Sequence, residues 1–403
     1  MKRYDLLTPE GTRDLLFEES LARREAEGML SDLFVGRGFS EVMTPGMEFY
    51  DVFHADTMAI PAESMYKFAD AKGRLLVMRP DSTMPIARLV ATRMQNARLP
   101  IRLYYAQDVY RFHHGLSGHY DQMFQAGVEL IGAAGERADL EVLALAADAL
   151  AESGCGDFRL EIGHVGFFQS LMRQLPADGE TKDAIRTLIE NKNYAGLSDE
   201  LDALPPSQTV DVLRRLPRLF GGEEVFGKAY ELFSENGALE CLDYLHGLYE
   251  DLRQLGLEDR VIIDLGLVNQ AEYYTGLIFR GYFDGIGEPV LSGGRYDNLL
   301  GEFGAPLSAT GFAVNIDPAA QVVGEPAPQT PDILVFSDER HLPEAVNYIK
   351  SLTENGLVAE NCVYDDFDAA ADYARRRGIR QLHVVDDAIE VVDVETLKGE
   401  GAR

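Results

Sequence analysis

The sequence predicts an α+β protein in which a helical insertion interrupts a mainly antiparallel sheet and a small α/β domain follows. Three observations indicate this fold class. Strand-like runs dominate residues 1–168 and 259–317, whereas residues 169–258 show helical periodicity without a convincing strand. Residues 318–331 contain four prolines together with alanine, glutamine and glycine, which suits a semi-extended linker. Residues 332–403 then alternate strand and helix patterns, as small α/β domains do.

The elements of the sheet domain follow from hydrophobic spacing and from boundary signals. Asp14 is a candidate N-cap for a helix whose apolar residues recur at helical spacing as far as Phe34, and Gly36 and Gly38 can end it. A short strand closed by proline follows at residues 39–45. Further strands are predicted at residues 75–78, 101–105, 124–131, 158–162, 260–264, 276–283 and 289–291, with a helix at residues 140–151.

The insertion and the C-terminal domain show clearer helical patterns. Within the insertion, helices are predicted at residues 168–175, 181–191, 208–215 and 239–255, and pairs of prolines and glycines separate them. In the C-terminal domain the predicted order is a strand at residues 333–336, helices at residues 342–355 and 368–377, and a strand at residues 381–385.

Composition limits the classes of function. A net charge of −30 speaks against an extended nucleic-acid surface, which requires clustered lysine and arginine, although solubility alone also explains such a charge. Cys155, Cys241 and Cys362 lie far apart, so neither a disulfide framework nor a thiolate zinc site is expected. There is no apolar run of membrane-spanning length and no secretory signal at the N-terminus. We expect a cytoplasmic protein without a membrane partner.

Six short motifs occur in a fixed order, and on them the chain resembles the histidyl-tRNA synthetase-like superfamily. They lie at residues 9–14, 79–83, 125–129, 266–276, 293–297 and 311–314. The resemblance implies a class II aminoacyl-tRNA synthetase-like antiparallel sheet core. It also implies a homodimer through the N-terminal helix and the segment that ends at Pro45, and a C-terminal domain similar to a shortened anticodon-binding domain.

The resemblance further implies a pocket for L-histidine, which offers an ammonium group, a carboxylate and an imidazole ring. Gln125 and Glu129 are four residues apart on a strand and therefore share a face. Glu129 is costly to bury unless a ligand or neighbour satisfies it, and the alternative is a partly exposed edge carboxylate. Arg111 has an alternative role as the partner of a carboxylate such as Glu129 or Asp108. The candidate histidine-binding residues are Asp81, Thr83, Arg111, Gln125, Glu129, Tyr273 and Tyr274.

Four positions at which the resemblance predicts arginine hold other residues. They are occupied by His119, Asp121, Asn269 and Pro318. Adenylation needs arginines in fixed geometry around the phosphates, and losing one positioned donor costs about 2.7–4 kcal/mol of barrier lowering. We therefore expect no catalytic residue and no cofactor.

Three histidines in one loop, His113, His114 and His119, invite a metal hypothesis. Zinc needs three or four ligands at fixed geometry, and no cysteine lies nearby in the sequence. We predict a solvated loop without a metal. Likewise, residues 375–377 are three arginines among aspartates, and a helix C-terminus explains them better than an RNA-binding patch.

Within this superfamily, the combination of a retained histidine pocket with four missing arginines is similar to the regulatory subunits of ATP phosphoribosyltransferase. That resemblance implies a non-catalytic subunit that assembles with the short catalytic subunit. By the same resemblance, we expect this subunit to be required for the first step of histidine biosynthesis, to mediate feedback by histidine and not to bind tRNA. An active histidyl-tRNA synthetase with unusual motifs is one alternative, and an orphan histidine-sensing interaction protein is another, because fold alone does not separate them.

Overall fold

The computed structural model describes residues 3–53, 60–113, 120–153, 157–233, 236–268, 273–323 and 330–397. The chain forms two compact units, Met1–Glu325 and Pro326–Arg403. No helix in the described ranges is both long enough and apolar enough to cross a membrane.

The first unit contains most of the regular structure. Its helices are α1 (Phe17–Gly36), α2 (Thr83–Arg93), α3 (Glu136–Glu152), α4 (Val165–Gln174), α5 (Gly179–Glu190), α6 (Tyr194–Asp202), α7 (Gln208–Arg215), α8 (Glu224–Leu232), α9 (Asn236–Gln254), α10 (Leu299–Glu302) and α11 (Ile316–Val323). Its strands are β1 (Ser40–Glu41), β2 (Met47–Phe49), β3 (Lys67–Ala69), β4 (Leu75–Met78), β5 (Ile101–Tyr110), β6 (Gln122–Ile131), β7 (Phe158–His164), β8 (Phe220–Gly221), β9 (Val261–Asp264), β10 (Leu277–Phe283), β11 (Leu291–Arg295) and β12 (Ala309–Asn315).

A nine-stranded sheet organises the described part of this unit, in the order β1-β5-β6-β12-β11-β10-β7-β9-β8. Every pair from β5 through β7 in that order is antiparallel, whereas β1 pairs with β5, and β7 with β9, in parallel. The predicted mainly antiparallel core is therefore confirmed. A smaller antiparallel sheet has the order β2-β4-β3.

The two faces of the large sheet differ in chemistry. Helices α1, α3 and α9 pack on one face, where alternate strand residues such as Phe279 and Phe312 join Val142 and Leu143 in one apolar core. Because side chains alternate between faces, the intervening residues of the same strands point to the other face. That second face carries buried polar side chains, including Gln125, Glu129, Glu161 and Asp264.

The predicted start of the chain needs two corrections. Asp14 does not cap the first helix, because α1 begins only at Phe17 and Leu16 occupies the N-cap position. The chain before α1 is instead held by a hydrogen bond from the N–H of Asp121 to the carbonyl of Gly11. The strand predicted over residues 39–45 shortens to β1, since the carbonyls of Thr44 and Pro45 accept hydrogen bonds from the Arg79 side chain instead of from a strand.

The linker prediction is wrong for residues 318–323, because α11 continues to Val323 and packs against α1. Ile316 and Ala319 are buried there. Pro318 lies in the first helical turn, where a backbone N–H would have no intrahelical acceptor, so a proline costs no hydrogen bond. The insertion also contains a strand that was not predicted, since β8 pairs with β9 at the sheet edge. Helices α6 and α8 were missed as well.

The second unit is a four-stranded sheet with one helix on each face. Its elements are β13 (Ile333–Ser337), α12 (Leu342–Glu354), β14 (Ala359–Asn361), α13 (Phe367–Arg377), β15 (Gln381–Val385) and β16 (Ile389–Asp393). The strand order is β14-β13-β15-β16, with only the last pair antiparallel. Residues such as Leu334 and Leu382 pack against α13, while Val335 and Val385 lie in the cluster that contains Ala345 of α12.

Candidate functional site

A cavity of about 300 Å³ lies against the polar face of the large sheet. It is built from β5, β6, β11 and β12, from the segment that precedes and begins α2, and from the two tyrosines before β10. All seven residues predicted for the site line this cavity: Asp81, Thr83, Arg111, Gln125, Glu129, Tyr273 and Tyr274. The fold thus brings together motifs that are far apart along the chain. That these seven residues bind histidine stays a prediction.

Glu129 is the most deeply buried acid of the cavity, with 1% of its surface exposed. Its Oε1 accepts a hydrogen bond from the Thr83 hydroxyl at 2.7 Å, and its Oε2 accepts one from the hydroxyl of Tyr296. Burial raises the pKa of Glu129 well above its ordinary value, the Thr83 hydrogen bond opposes this, and the charge of Asp81 adds to it. The alternative of an exposed edge carboxylate is therefore wrong.

Asp81 and Arg111 form the charged side of the cavity. One Asp81 oxygen accepts the backbone N–H of Met84 at 3.0 Å and so closes the first turn of α2. Its other oxygen lies 3.7 Å from Nη2 of Arg111, whose Nε donates to the carbonyl of Pro80 at 2.7 Å. The carboxylate beside Arg111 is thus Asp81 and not Glu129 or Asp108, because the backbone at Pro80 draws the guanidinium toward this segment.

Gln125 is held across the sheet by β12. Its Nε2 donates to Oδ1 of Asn315 at 2.8 Å, and the two residues are direct partners in the β6–β12 register. Gly311 lies opposite Glu129 in the same register, and any Cβ there would overlap the Glu129 carboxylate and the Val128 carbonyl. A glycine at this position is what lets the carboxylate lie flat on the sheet.

Three tyrosines form an aromatic wall. The ring centroids of Tyr273 and Tyr274 are 4.7 Å apart, and the Tyr296 ring meets that of Tyr273 edge-on at 5.7 Å. Burial raises the pKa of both Tyr273 and Tyr274, so the phenols stay neutral and keep their O–H donors. Such a wall can pack against a flat ring and hydrogen-bond to it.

Sequence reasoning missed several residues that line the cavity: Tyr105, His113, Met123, Glu288, Pro289, Ser292, Tyr296 and Asn315. Tyr296 lies in the motif at residues 293–297, which was recognised without assigning it to the site. Tyr105 and Asn315 could have been found by following the two-residue period of strands β5 and β12 onto the face of Glu129.

Asp121, at a position where arginine was expected, is an anchor beside the cavity mouth. Its carboxylate accepts the backbone N–H of His113 at 3.0 Å and the hydroxyl of Tyr66, and its own N–H donates to Gly11. Burial opposes ionisation, yet the hydrogen bonds from Tyr66 and His113 hold the pKa of Asp121 below its usual range. His114, His119 and Asn269 lie outside the described residues.

The charge of the cavity favours a ligand with a positive group. Three carboxylates line it, from Asp81, Glu129 and Glu288, and Arg111 is the one arginine or lysine among its described lining residues. Carboxylates beside an ammonium stabilise it, whereas a triphosphate placed here would meet like charge. The described lining can therefore accommodate a small amino acid, and Arg111 alone is not the set of arranged arginines that phosphate chemistry uses.

Comparison with known proteins gives a consistent result. The family model described as histidyl-tRNA synthetase matches residues 11–319. An ATP phosphoribosyltransferase regulatory subunit of Clostridium kluyveri is 37% identical over 95% of this chain and 100% of its own length. The one of Clostridium acetobutylicum is 36% identical over 98% of each chain. A solved ATP phosphoribosyltransferase regulatory subunit/histidyl-tRNA synthetase from Bacillus halodurans is 33% identical, with a TM-score of 0.83, over 92% of this chain and 97% of that one.

Proposed function

Since this chain belongs to the family of ATP phosphoribosyltransferase regulatory subunits, which share the histidyl-tRNA synthetase fold, we propose that it is the non-catalytic regulatory subunit of that enzyme. It assembles with the short catalytic subunit, supports the first step of histidine biosynthesis, and transmits feedback by histidine. The names of the relatives support the assembly and the pathway.

We propose that L-histidine is the ligand of the cavity, and the buried Glu129 is the observation that carries this proposal. Its buried carboxyl lines the cavity together with Asp81 and the tyrosine wall. We propose that Glu129 accepts the ring N–H of the ligand and that Asp81 faces the ammonium. Coupling between sites is reciprocal, so any effect of histidine on the catalytic subunit's affinity for its substrates implies an equal effect of those substrates on histidine affinity.

The absence of adenylation is also part of the proposal. The sequence differences at His119, Asp121, Asn269 and Pro318 support it, and the structure adds a reason at two of them. Asp121 is committed to Tyr66 and His113, and Pro318 lies within α11. Neither residue can offer positive charge to a phosphate.

A homodimer through the N-terminal helix and the Pro45 segment completes the proposed assembly. Large apolar side chains are exposed around that segment: Met43, Met47, Phe49, Phe68 and Leu75. Met47 and Phe49 are two residues apart on β2 and therefore lie on the same face of the small sheet. Together they form an exposed apolar patch of the kind that a partner subunit covers.

The proposal excludes tRNA as a partner and places the protein in the cytoplasm. The three arginines at the end of α13 face acidic neighbours, with Arg376 2.7 Å from Asp372 and Arg377 3.9 Å from Glu360. This pairing reduces the positive charge available to a phosphate backbone. Within the described residues Cys241 and Cys362 form no disulfide, in keeping with a reducing compartment.

One assay tests the function directly. The short catalytic subunit is assayed for phosphoribosyl transfer alone and with this protein, and histidine is titrated into both. We expect the rate to rise on adding this protein and histidine to inhibit the complex. Histidine-dependent exchange between ATP and pyrophosphate by the pure chain would instead support an active synthetase.

A further inference from the structure

Arg280 lies one strand beyond the cavity on the same face of the sheet. Ser292, which lines the cavity, is its direct cross-strand partner in the β10–β11 register. Glu161 is its partner on the other side, in the β7–β10 register. Directly opposed residues have their Cβ atoms about 5 Å apart, and an extended arginine side chain spans that distance.

The guanidinium of Arg280 is held where it lies by one backbone carbonyl and lies beside the Tyr282 side chain. Its Nη2 donates to the carbonyl of Val268 at 2.9 Å. Glu161 beside it is 6% exposed, and no described residue offers a hydrogen bond to its Oε2. A buried carboxylate oxygen without a hydrogen-bond partner is costly, so Glu161 and neighbouring Asp264 favour a positive charge beside them. They do not fix the position of the Arg280 guanidinium.

The cavity has too little positive charge for the ligand proposed for it. A free amino acid brings a carboxylate, and the cavity already contains those of Asp81 and Glu288, while burial favours the neutral form of Glu129. Arg111 is shared with Asp81 at 3.7 Å and with the carbonyl of Pro80 at 2.7 Å. A second cation would offset these negative charges, and Arg280 is the arginine next to the lining residue Ser292.

We propose that Arg280 turns from the Val268 carbonyl past Ser292 and binds the carboxylate of the amino acid in the cavity. This inference rests on the proposed function and adds a specificity to it. Arg280 is the residue that distinguishes a ligand with a free carboxylate from one without it. Glu161 is the counter-ion that keeps the side chain on this face of the sheet when the cavity is empty.

Calorimetry on the full chain tests this with two ligands, histidine and histidinol, in which a hydroxymethyl group replaces the carboxylate. We expect Arg280→Gln to weaken histidine binding at least about tenfold and histidinol binding less than about twofold, because only histidine loses a charged hydrogen bond. Arg280→Lys keeps the charge and should retain part of the preference. The matched control is Arg159→Gln, on the same face of β7, where the guanidinium donates to the Asp259 carbonyl; both affinities should stay unchanged.

Two results would overturn the assignment of Arg280. An equal loss for both ligands would show that Arg280 only supports the backbone at Val268. A ligand-selective loss in Arg111→Gln, with none in Arg280→Gln, would give the carboxylate to Arg111. If the unaltered protein binds neither ligand, the proposal that histidine occupies this cavity fails. That result differs from a loss confined to the Arg280→Gln variant.

Discussion

We propose that ligand recognition depends most on Glu129, a buried acid whose two oxygens each accept a hydrogen bond from a hydroxyl group. In Glu129→Gln one acceptor oxygen becomes an amide NH₂, so one of those hydroxyls must turn to accept and the ligand loses an acceptor. We expect calorimetry to show histidine binding more than about tenfold weaker. The control is Glu152→Gln at the exposed end of α3, and unchanged affinity in Glu129→Gln would remove this residue from the site.

Asp264 makes a separate prediction about pH. Burial and the nearby Glu161 raise its pKa to about 6, and the N–H of Gly266, with Lys192 and Arg280, opposes this. The folded state therefore holds the proton more tightly than the unfolded chain, and stability falls as pH rises from about 4 to about 6. Above that range Asp264→Asn should be more stable than the unaltered protein by up to roughly 3 kcal/mol.

Denaturant unfolding of both proteins between pH 4 and pH 7 measures this difference. The two free energies of unfolding should converge as the pH falls to 4 and below, where Asp264 is protonated in the folded state and increasingly so in the unfolded chain. Asparagine can still accept the hydrogen bond from Gly266 that Asp264 accepts at 2.8 Å, so the turn is preserved. Curves that run parallel across the whole range would contradict a raised pKa.

At the scale of elements, Arg79 connects three segments of the chain. Its guanidinium donates to the carbonyls of Thr44, Pro45 and Asp108, which joins the end of β4 to the segment between β1 and β2 and to β5. Lysine cannot reach these carbonyls at once, so Arg79→Lys should lower the free energy of unfolding by about 2–4 kcal/mol. Arg93→Lys, at the exposed end of α2, is the control and should change it little; equal stability of the two variants would refute this role.

The elements also show what patterning can and cannot predict. Strand β4 and helix α7 have the predicted bounds, because a run of apolar strand residues and a capping serine mark them locally. Strand β12 was missed although its motif was noticed, since Gly311 and small neighbours leave no alternation to detect. Its place depends on pairing with β6, more than 170 residues away in the chain.

The candidate site was predictable only where its residues belong to recognisable sequence motifs. Its predicted residues were identified through motifs and their order, whereas the place of Ser292, and of Arg280 beside it, depends on which strands become neighbours. That information is in the register of the sheet, and a single sequence does not display it. Glu288 likewise reaches the cavity from the turn between β10 and β11, where no local pattern distinguishes it from an exposed acid.

For the whole molecule, the exposed apolar face of the small sheet gives a prediction about assembly. Met47 is 55% exposed, so replacing it removes little packing from the subunit itself. Met47→Asp should shift a homodimer toward monomer in sedimentation equilibrium by placing an unpaired charge in the interface. Val346→Asp on α12, 56% exposed, is the control and should leave the dimer intact. A monomeric unaltered protein would refute the proposed dimer.

The carboxylate of Glu129 is bonded to residues 46 and 167 positions away along the chain. Its cavity therefore exists only after these distant parts have come together, and an occupant binds the native chain and not the denatured one. An occupant present at a hundred times its dissociation constant would add about 2.7 kcal/mol to global stability. Under the proposed function that occupant is histidine, and a higher histidine concentration would then also slow the proteolysis of this chain.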